Sequence, residues 1–161
     1  MKATTMTPRA LRVAMNLWPP FLFTGIRVLD IGADWRSARV ALRLRWYNRN
    51  AVGTQFGGSL FAMTDPFWML LVMRGLGRHY IVWDKAGEIE FVAPGREAVY
   101  ASFHVDTALL DEIRAATAGG DKYLRWCETD VCTADGTVVA RVRKQLYIRR
   151  KASARADANP A

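Results

Sequence analysis

Histidine and cysteine are scarce in this chain, and most metal and thiol chemistry is excluded with them. There are two of each among 161 residues. His79 and His104 lie far apart and lack a metal-ligand spacing, so no metal site is expected. Cys127 and Cys132 form no CxxC pattern, and no histidine-rich partner lies near either. Their odd separation places them on opposite faces of any strand that carries both. Buried, reduced thiols fit better than a disulfide. No uncharged apolar run reaches the roughly 18 residues that a membrane helix needs, so no membrane span is expected. The opening residues include Arg9, Arg12, Asn16, Pro19 and Pro20, which interrupt the apolar stretch a signal peptide requires. The expected setting is therefore cytoplasmic. No internal repeat is visible.

What is present is an ordinary globular composition, 51% hydrophobic and 24% charged. It is enough for one domain over residues 1–150 with a sizeable core. The formal net charge is +8. Residues 141–155 hold Arg141, Arg143, Lys144, Arg149, Arg150, Lys151 and Arg155 with no acid among them, and without these seven the body is close to neutral, about +1. The tail 151–161, "KASARADANPA", has nothing to bury and is expected to be disordered. A basic end of this kind suits a polyanionic ligand, nucleic acid, a membrane surface or plain solvation. No nucleic-acid motif accompanies it, so no specific nucleic-acid partner is expected.

The periodicity gives an order of elements. Residues 7–17 read as a short amphipathic helix with Thr7 as N-cap and Pro8 at its first position, ended by Trp18–Pro19–Pro20. "GIRVLDIG" and "ARVALRLRWYN" read as a hairpin, with Val40, Leu42, Leu44 and Trp46 on one face of the second strand. A polar loop, "NRNAVGTQFGG", leads into the long apolar segment 57–73, which as a helix would be enclosed on nearly every side. Strands follow at "HYIVWDKAGEIEFVAPG" and "EAVYASFHVD", then a helix over 107–120 capped by Thr107. Two last strands meet at Asp135–Gly136 in a two-residue turn. One enclosed helix among about six antiparallel strands predicts an α+β fold, a curved sheet wrapped around a central helix.

The chemistry concentrates in "NAVGTQFGGSLFAMTD", residues 50–65. Gly57 and Gly58 at a loop-to-helix junction let a ligand approach the backbone. First-turn N–H groups lack internal partners and favour negative charge, so the pair suits an oxyanion or a thioester carbonyl. Asp65 is the single carboxylate in the apolar run. It reads equally as an N-cap before Pro66, where a helix restarts, and as a general base or nucleophile. Asn50 offers a neutral donor and acceptor, and also suits a turn. In the strand 82–91, Trp83, Lys85, Gly87, Ile89 and Phe91 share one face, and Asp84, Glu88 and Glu90 the other. Asp84 and Lys85 could reach the site from there, or form a surface ion pair.

The spacing Asn-x-x-Gly-x-x-[His]-Gly-Gly, with an acid seven residues after the second glycine, resembles hotdog-fold acyl-CoA thioesterases of the phenylacetate-degradation type. It matches at Asn50, Gly53, Gly57, Gly58 and Asp65. "GTQFGGSLFAMTDPFWMLL" together with "VWDKAGEIEFVAPGR" is more closely similar to a hotdog family labelled tetrameric thioesterase-like, over roughly residues 10–150. The resemblance implies a homodimer or homotetramer with the acid and the glycine turn supplied by different subunits. It implies Asp65 as base or nucleophile, the Gly58 N–H as oxyanion donor and Asn50 as orienting amide. Gly53, Phe56, Gly57 and Lys85 would line the substrate site. An acyl-CoA thioester is then substrate, and no cofactor is called for. Phe56 stands where those enzymes carry His and cannot hydrogen-bond a thioester. A non-catalytic acyl-CoA-binding protein is therefore the rival expectation. Arg141, Arg143 or Arg149 would be the candidates to meet coenzyme A phosphates, unless they are merely solvated.

Overall fold

A computed structural model describes residues 6–152. The expected tail falls almost wholly on residues 153–161, outside the described residues. The elements are α1 (Pro8–Leu17), α2 (Pro19–Thr24), β1 (Ile26–Ile31), β2 (Ser37–Leu42), α3 (Gly57–Ala62), α4 (Phe67–Leu76), β3 (Tyr80–Phe91), β4 (Val99–His104), α5 (Thr107–Ala116), β5 (Tyr123–Cys132) and β6 (Val138–Arg150). The strands form one antiparallel sheet in the order β1-β2-β4-β5-β6-β3. The sheet curves around α4, which packs on β2, β3, β6 and α5. This is the expected hotdog arrangement.

The core is aromatic at its centre. Phe67 stacks on Phe103 with ring centroids 4.8 Å apart, and Trp68 meets the same ring edge-on at 5.8 Å. Both α4 residues are buried. The Trp68 indole N–H donates to Thr129 Oγ1 on β5 at 2.7 Å, so its one polar atom is satisfied inside the core.

Local sequence signals explain most boundaries. Thr7 Oγ1 accepts from Ala10 N, and Pro8 opens α1 as expected. Trp18 ends that helix, yet Pro19 opens a second one, α2, because proline at the first helical position forfeits no hydrogen bond. Asp106, rather than Thr107, caps α5, accepting from Leu109 N at 2.7 Å, and the helix ends at Ala116. The last hairpin closes through Thr133 N to Thr137 O, so its turn holds three residues with Gly136 at φ +91°, and not two.

Two expectations about long elements are corrected. The second strand stops at Leu42 instead of running to Asn48, and Trp46 is 81% exposed. The Asn48 amide takes the main-chain groups that a strand would use: it accepts from Arg45 N and donates to Arg43 O and Thr24 O. That side chain folds the segment away from the sheet. The apolar run 57–73 is two helices rather than one. Proline lacks the N–H that a continuous helix would donate to Ala62 O, and the chain breaks at residues 63–66.

Candidate functional site

Asp65 occupies that break. Thr64 N and Asp65 N bond back to Phe61 O and Ala62 O, three residues behind each, which tightens the end of α3 before Pro66. The cap of α4 is Pro66, with no side-chain hydrogen bond, so the reading of Asp65 as an N-cap is overturned. Its carboxylate turns to the sheet instead, where Oδ1 accepts from the Lys144 ammonium. Among the described residues no donor reaches Asp65 Oδ2. The side chain is 58% exposed.

Lys144 is the residue that sequence reasoning missed. Along β6, Val142, Lys144, Leu146 and Ile148 alternate inward and are all buried. The side chain of Lys144 is 5% exposed. A lysine at an inward position of an apolar alternation is the available signal, hidden by Arg143 beside it and the basic run around it. Its Nζ also lies 4.5 Å from the centroid of the Phe61 ring.

A second carboxylate approaches from β3, with Asp84 Oδ2 4.0 Å from Lys144 Nζ. Asp84 was expected to share a face with Glu88 and Glu90. A β-bulge between Asp84 and Ala86 shifts the alternation, so Asp84 lies opposite Leu146 and Gly87 opposite Lys144 on the inward side. Glu88 and Glu90 stay outside, opposite Arg143 and Arg141. Asp84 Oδ1 is buried with no hydrogen-bond partner among the described residues. Burial pushes the Asp84 carboxyl above the ordinary aspartate value; Lys144 opposes that shift and Asp65 adds to it. Gly87 makes room for the cluster: a Cβ there would fall 2.5 Å from Phe61 Cζ and 3.2 Å from Lys144 Cδ. Lys85, expected at the substrate site, sits in the bulge and is exposed.

The glycine turn forms a separate cluster. Asn50 spends its side chain on its own loop: Oδ1 accepts from Val52 N and Thr54 N, and Nδ2 donates to Thr54 Oγ1 at 2.9 Å. Gly53 supplies the left-handed φ of +79° which that loop requires. Among the described residues, the N–H groups of Gly57 and Gly58 have no acceptor. The Phe91 ring lies over Gly57 and the Phe56 ring over Gly58, so close that an added Cβ would come within 2.8 and 2.5 Å of them. A groove of about 400 Å³ runs along the turn, lined by Asn50, Gln55, Gly57, Leu60, Phe91 and Pro94 among others. Six residues separate Gly58 from Asp65, and α3 ends at Ala62 between them.

Two of the basic strand residues, Arg141 and Arg143, are neutralised. On the outer face of the sheet Arg143 bridges Glu88 and Glu128, and Arg141 bridges Glu90 and Asp130. Arg149 donates to Gly120 O. The described residues contain no group of three or more metal-ligating side chains, and no helix among them is long and apolar enough to cross a membrane. Cys127 and Cys132 both lie on β5 as free thiols.

A family model described as a domain of unknown function, DUF4442, matches residues 7–148. No curated protein matches by sequence. Among solved structures, a Pseudomonas aeruginosa protein of unknown function, described as a probable thioesterase, superposes with a TM-score of 0.80 at 16% identity, covering 91% of this chain and 97% of that one. A thioesterase from Haemophilus influenzae gives 0.65 at 14% identity, over 91% and 93%. Thioesterase superfamily member 2 from Mus musculus gives 0.60 at 13% identity, over 89% and 98%. At these identities the likeness is one of fold.

Proposed function

The chain belongs to the DUF4442 family, and from that membership, its hotdog fold and the geometry at Asp65 we propose that it hydrolyses an acyl-CoA-type thioester. The observation that carries the reading is the ion pair: a buried Lys144 anchors one oxygen of a solvent-facing carboxylate and leaves the other without a donor. Such a carboxylate is fixed in direction and open to water. In the proposed reaction Asp65 takes a proton from water as the water oxygen bonds to the thioester carbonyl carbon. The Gly58 N–H stabilises the oxyanion. Collapse breaks the C–S bond, the sulfur takes up a proton, and a carboxylic acid and a thiol leave.

Reaction at one carbonyl needs the attacking oxygen within about 3.5 Å and the oxyanion donor within about 3 Å. In one chain Gly58 opens α3 beneath the Phe56 ring, whereas the Asp65 carboxylate lies past the end of α3 and turns to Lys144 on the sheet. We therefore assign the two groups at each site to two copies of the chain. The edge of β3, twelve residues long and unpaired on its outer side among the described residues, is the surface proposed to join them. The phenylacetate-type and tetrameric-family resemblances agree with this division of labour. Asn50 then acts by shaping the loop rather than by orienting the substrate.

One observation favours a second reading. The Phe56 ring lies over Gly58, where a polar side chain would assist a thioester, so a protein that binds acyl-CoA without cleaving it is the alternative. Turnover of an acyl-CoA series by wild type and Asp65→Asn separates the two. Hydrolysis lost in Asp65→Asn supports the proposal. Equal rates in both proteins, or saturable binding without any turnover, overturn it.

A further inference from the structure

Of the arginines that sequence pointed to, Arg141 and Arg143 are ion-paired and Arg149 bonds a main-chain carbonyl; a cluster of arginines without carboxylate partners lies elsewhere. Residues 39–60 contain Arg39, Arg43, Arg45 and Arg49 and no acid. Arg39 lies over the Tyr100 ring. Arg43, Arg45 and Arg49 are exposed, as is Arg27 on β1, and no carboxylate among the described residues forms an ion pair with any of the four. Three of them, Arg27, Arg43 and Arg45, line one cavity of about 270 Å³ together with Tyr47 and Leu22. Guanidinium groups brought together without counter-ions repel one another, and an anion relieves that repulsion.

A second cavity adjoins this basin at Tyr47. Tyr47 also lines the neighbouring cavity, of about 220 Å³, with Phe23, Arg49, Phe56 and Ser59. Phe56 is the residue whose ring covers Gly58. Tyr47 is thus a wall shared between that cavity and the basin of the three arginines. Beside the basin stand Trp46 and Tyr47, packed edge to face at 5.6 Å, with the tryptophan 81% exposed. An exposed indole beside clustered guanidiniums presents a stacking surface for a heteroaromatic base next to donors for phosphate.

We propose that Arg27, Arg43 and Arg45 form the subsite for the phosphate groups of the thioester's nucleotide arm, with Trp46 as the platform for its base. The thioester end would then extend past Tyr47 and Phe56 toward Gly58. This subsite rests on the thioester reading for its biological ligand, but its chemistry, phosphate esters joined to a purine, is open to test alone.

The probe is adenosine 3′,5′-bisphosphate, which carries phosphates and base but no thioester. Wild type is expected to bind it, with affinity falling as salt rises. Arg43→Gln/Arg45→Gln should bind about tenfold or more weakly. Arg141→Gln/Arg143→Gln, on the neutralised outer face, should bind like wild type. Both pairs are exposed, so circular dichroism should show each variant folded. In turnover, Arg43→Gln/Arg45→Gln should raise KM for an acyl-CoA by a similar factor with kcat held. KM for the same acyl group on N-acetylcysteamine, which has no phosphates, should stay unchanged. Failure of the bisphosphate to bind overturns the subsite, and so does equal binding by both variants. Preference for anionic phosphatidylglycerol vesicles over the bisphosphate overturns it too, by giving the arginines to a lipid surface. If the bisphosphate binds as expected but no thioester is cleaved, the hydrolysis reading fails and the subsite stands.

Discussion

Lys144 and Asp65, 79 positions apart in sequence, form an ion pair whose two ends have opposite surroundings. The ammonium side is 5% exposed and the carboxylate side 58%. The pair holds an acid at the surface by a cation rooted in the core. A surface carboxylate paired with a surface lysine would swing with both side chains. This one is limited by a stem packed against Phe61 and Gly87.

Lys144→Met is therefore expected to act on positioning. The thioether fits the apolar alternation of β6, but Asp65 loses its anchor and Asp84 its nearest cation. We expect kcat for thioester hydrolysis to fall about 10²-fold. Stability should drop by about 1–2 kcal/mol, below the cost of breaking a fully buried pair because Asp65 is largely solvated. Steady-state kinetics and urea unfolding measure the two effects. A wild-type kcat in the variant would show that Asp65 needs no anchor.

Asp84 makes a pH-dependent contribution to stability. Its carboxyl is raised above 3.8, so the folded state holds that proton more tightly than the unfolded chain does. The stability it gives is full below the ordinary aspartate value and is lost as pH rises through the folded value. Asp84→Asn removes that loss. Urea unfolding measured from about pH 4 upward should show the variant gaining on wild type with rising pH. A constant difference would mean the carboxyl titrates alike in both states.

Gly87→Ala tests the cradle. The added Cβ would meet the Phe61 ring, which is wedged between α3 and the sheet, and the Lys144 stem. Overpacking of this kind costs about 1–3 kcal/mol. Thermal unfolding should report it, and Asp65-dependent turnover should fall with it. A variant as stable and active as wild type would place the ring elsewhere.

The two cysteines should differ in labelling. Burial pushes the Cys127 thiol up to about 11, so it is a protonated, inaccessible thiol at neutral pH. Cys132 is only half-buried. A disulfide reagent should titrate Cys132 in the native protein and reach Cys127 only after denaturation. Equal native rates would contradict the packing of β5.

Much of this fold was legible because its signals are local. Thr7–Pro8, the 26–42 hairpin, Asp135–Gly136 and the all-round apolar 57–73 each depend on neighbours in sequence. What escaped depended on partners far away. Lys144 is one basic residue among several until β6 is set against the helix break, and only then does its inward position separate it from Arg143. Asp84 was assigned to the wrong face because strict alternation cannot register a bulge. The alternation carries Trp46 onto the apolar face of β2, because hydropathy does not see the main-chain bonds by which the Asn48 side chain ends that strand. Asp65 itself stands out as the single carboxylate of the apolar run, but cap and anchored carboxylate differ only in orientation, which the spacing leaves open.

The bulge in β3 has a consequence for insertions and deletions. Val82 and Asp84 face inward before it, and Gly87, Ile89 and Phe91 after it, so the strand changes parity at Lys85–Ala86. Gln145 faces two residues there instead of one. Shortening the chain by Lys85 would straighten the strand and leave each inward side chain opposite its present partner. Removing a residue from either half would turn part of the strand inside out. Lys85 is thus a spare link in β3, and relatives that differ by one residue in this strand are expected to differ at that point while keeping the acid opposite Leu146 and the glycine opposite Lys144.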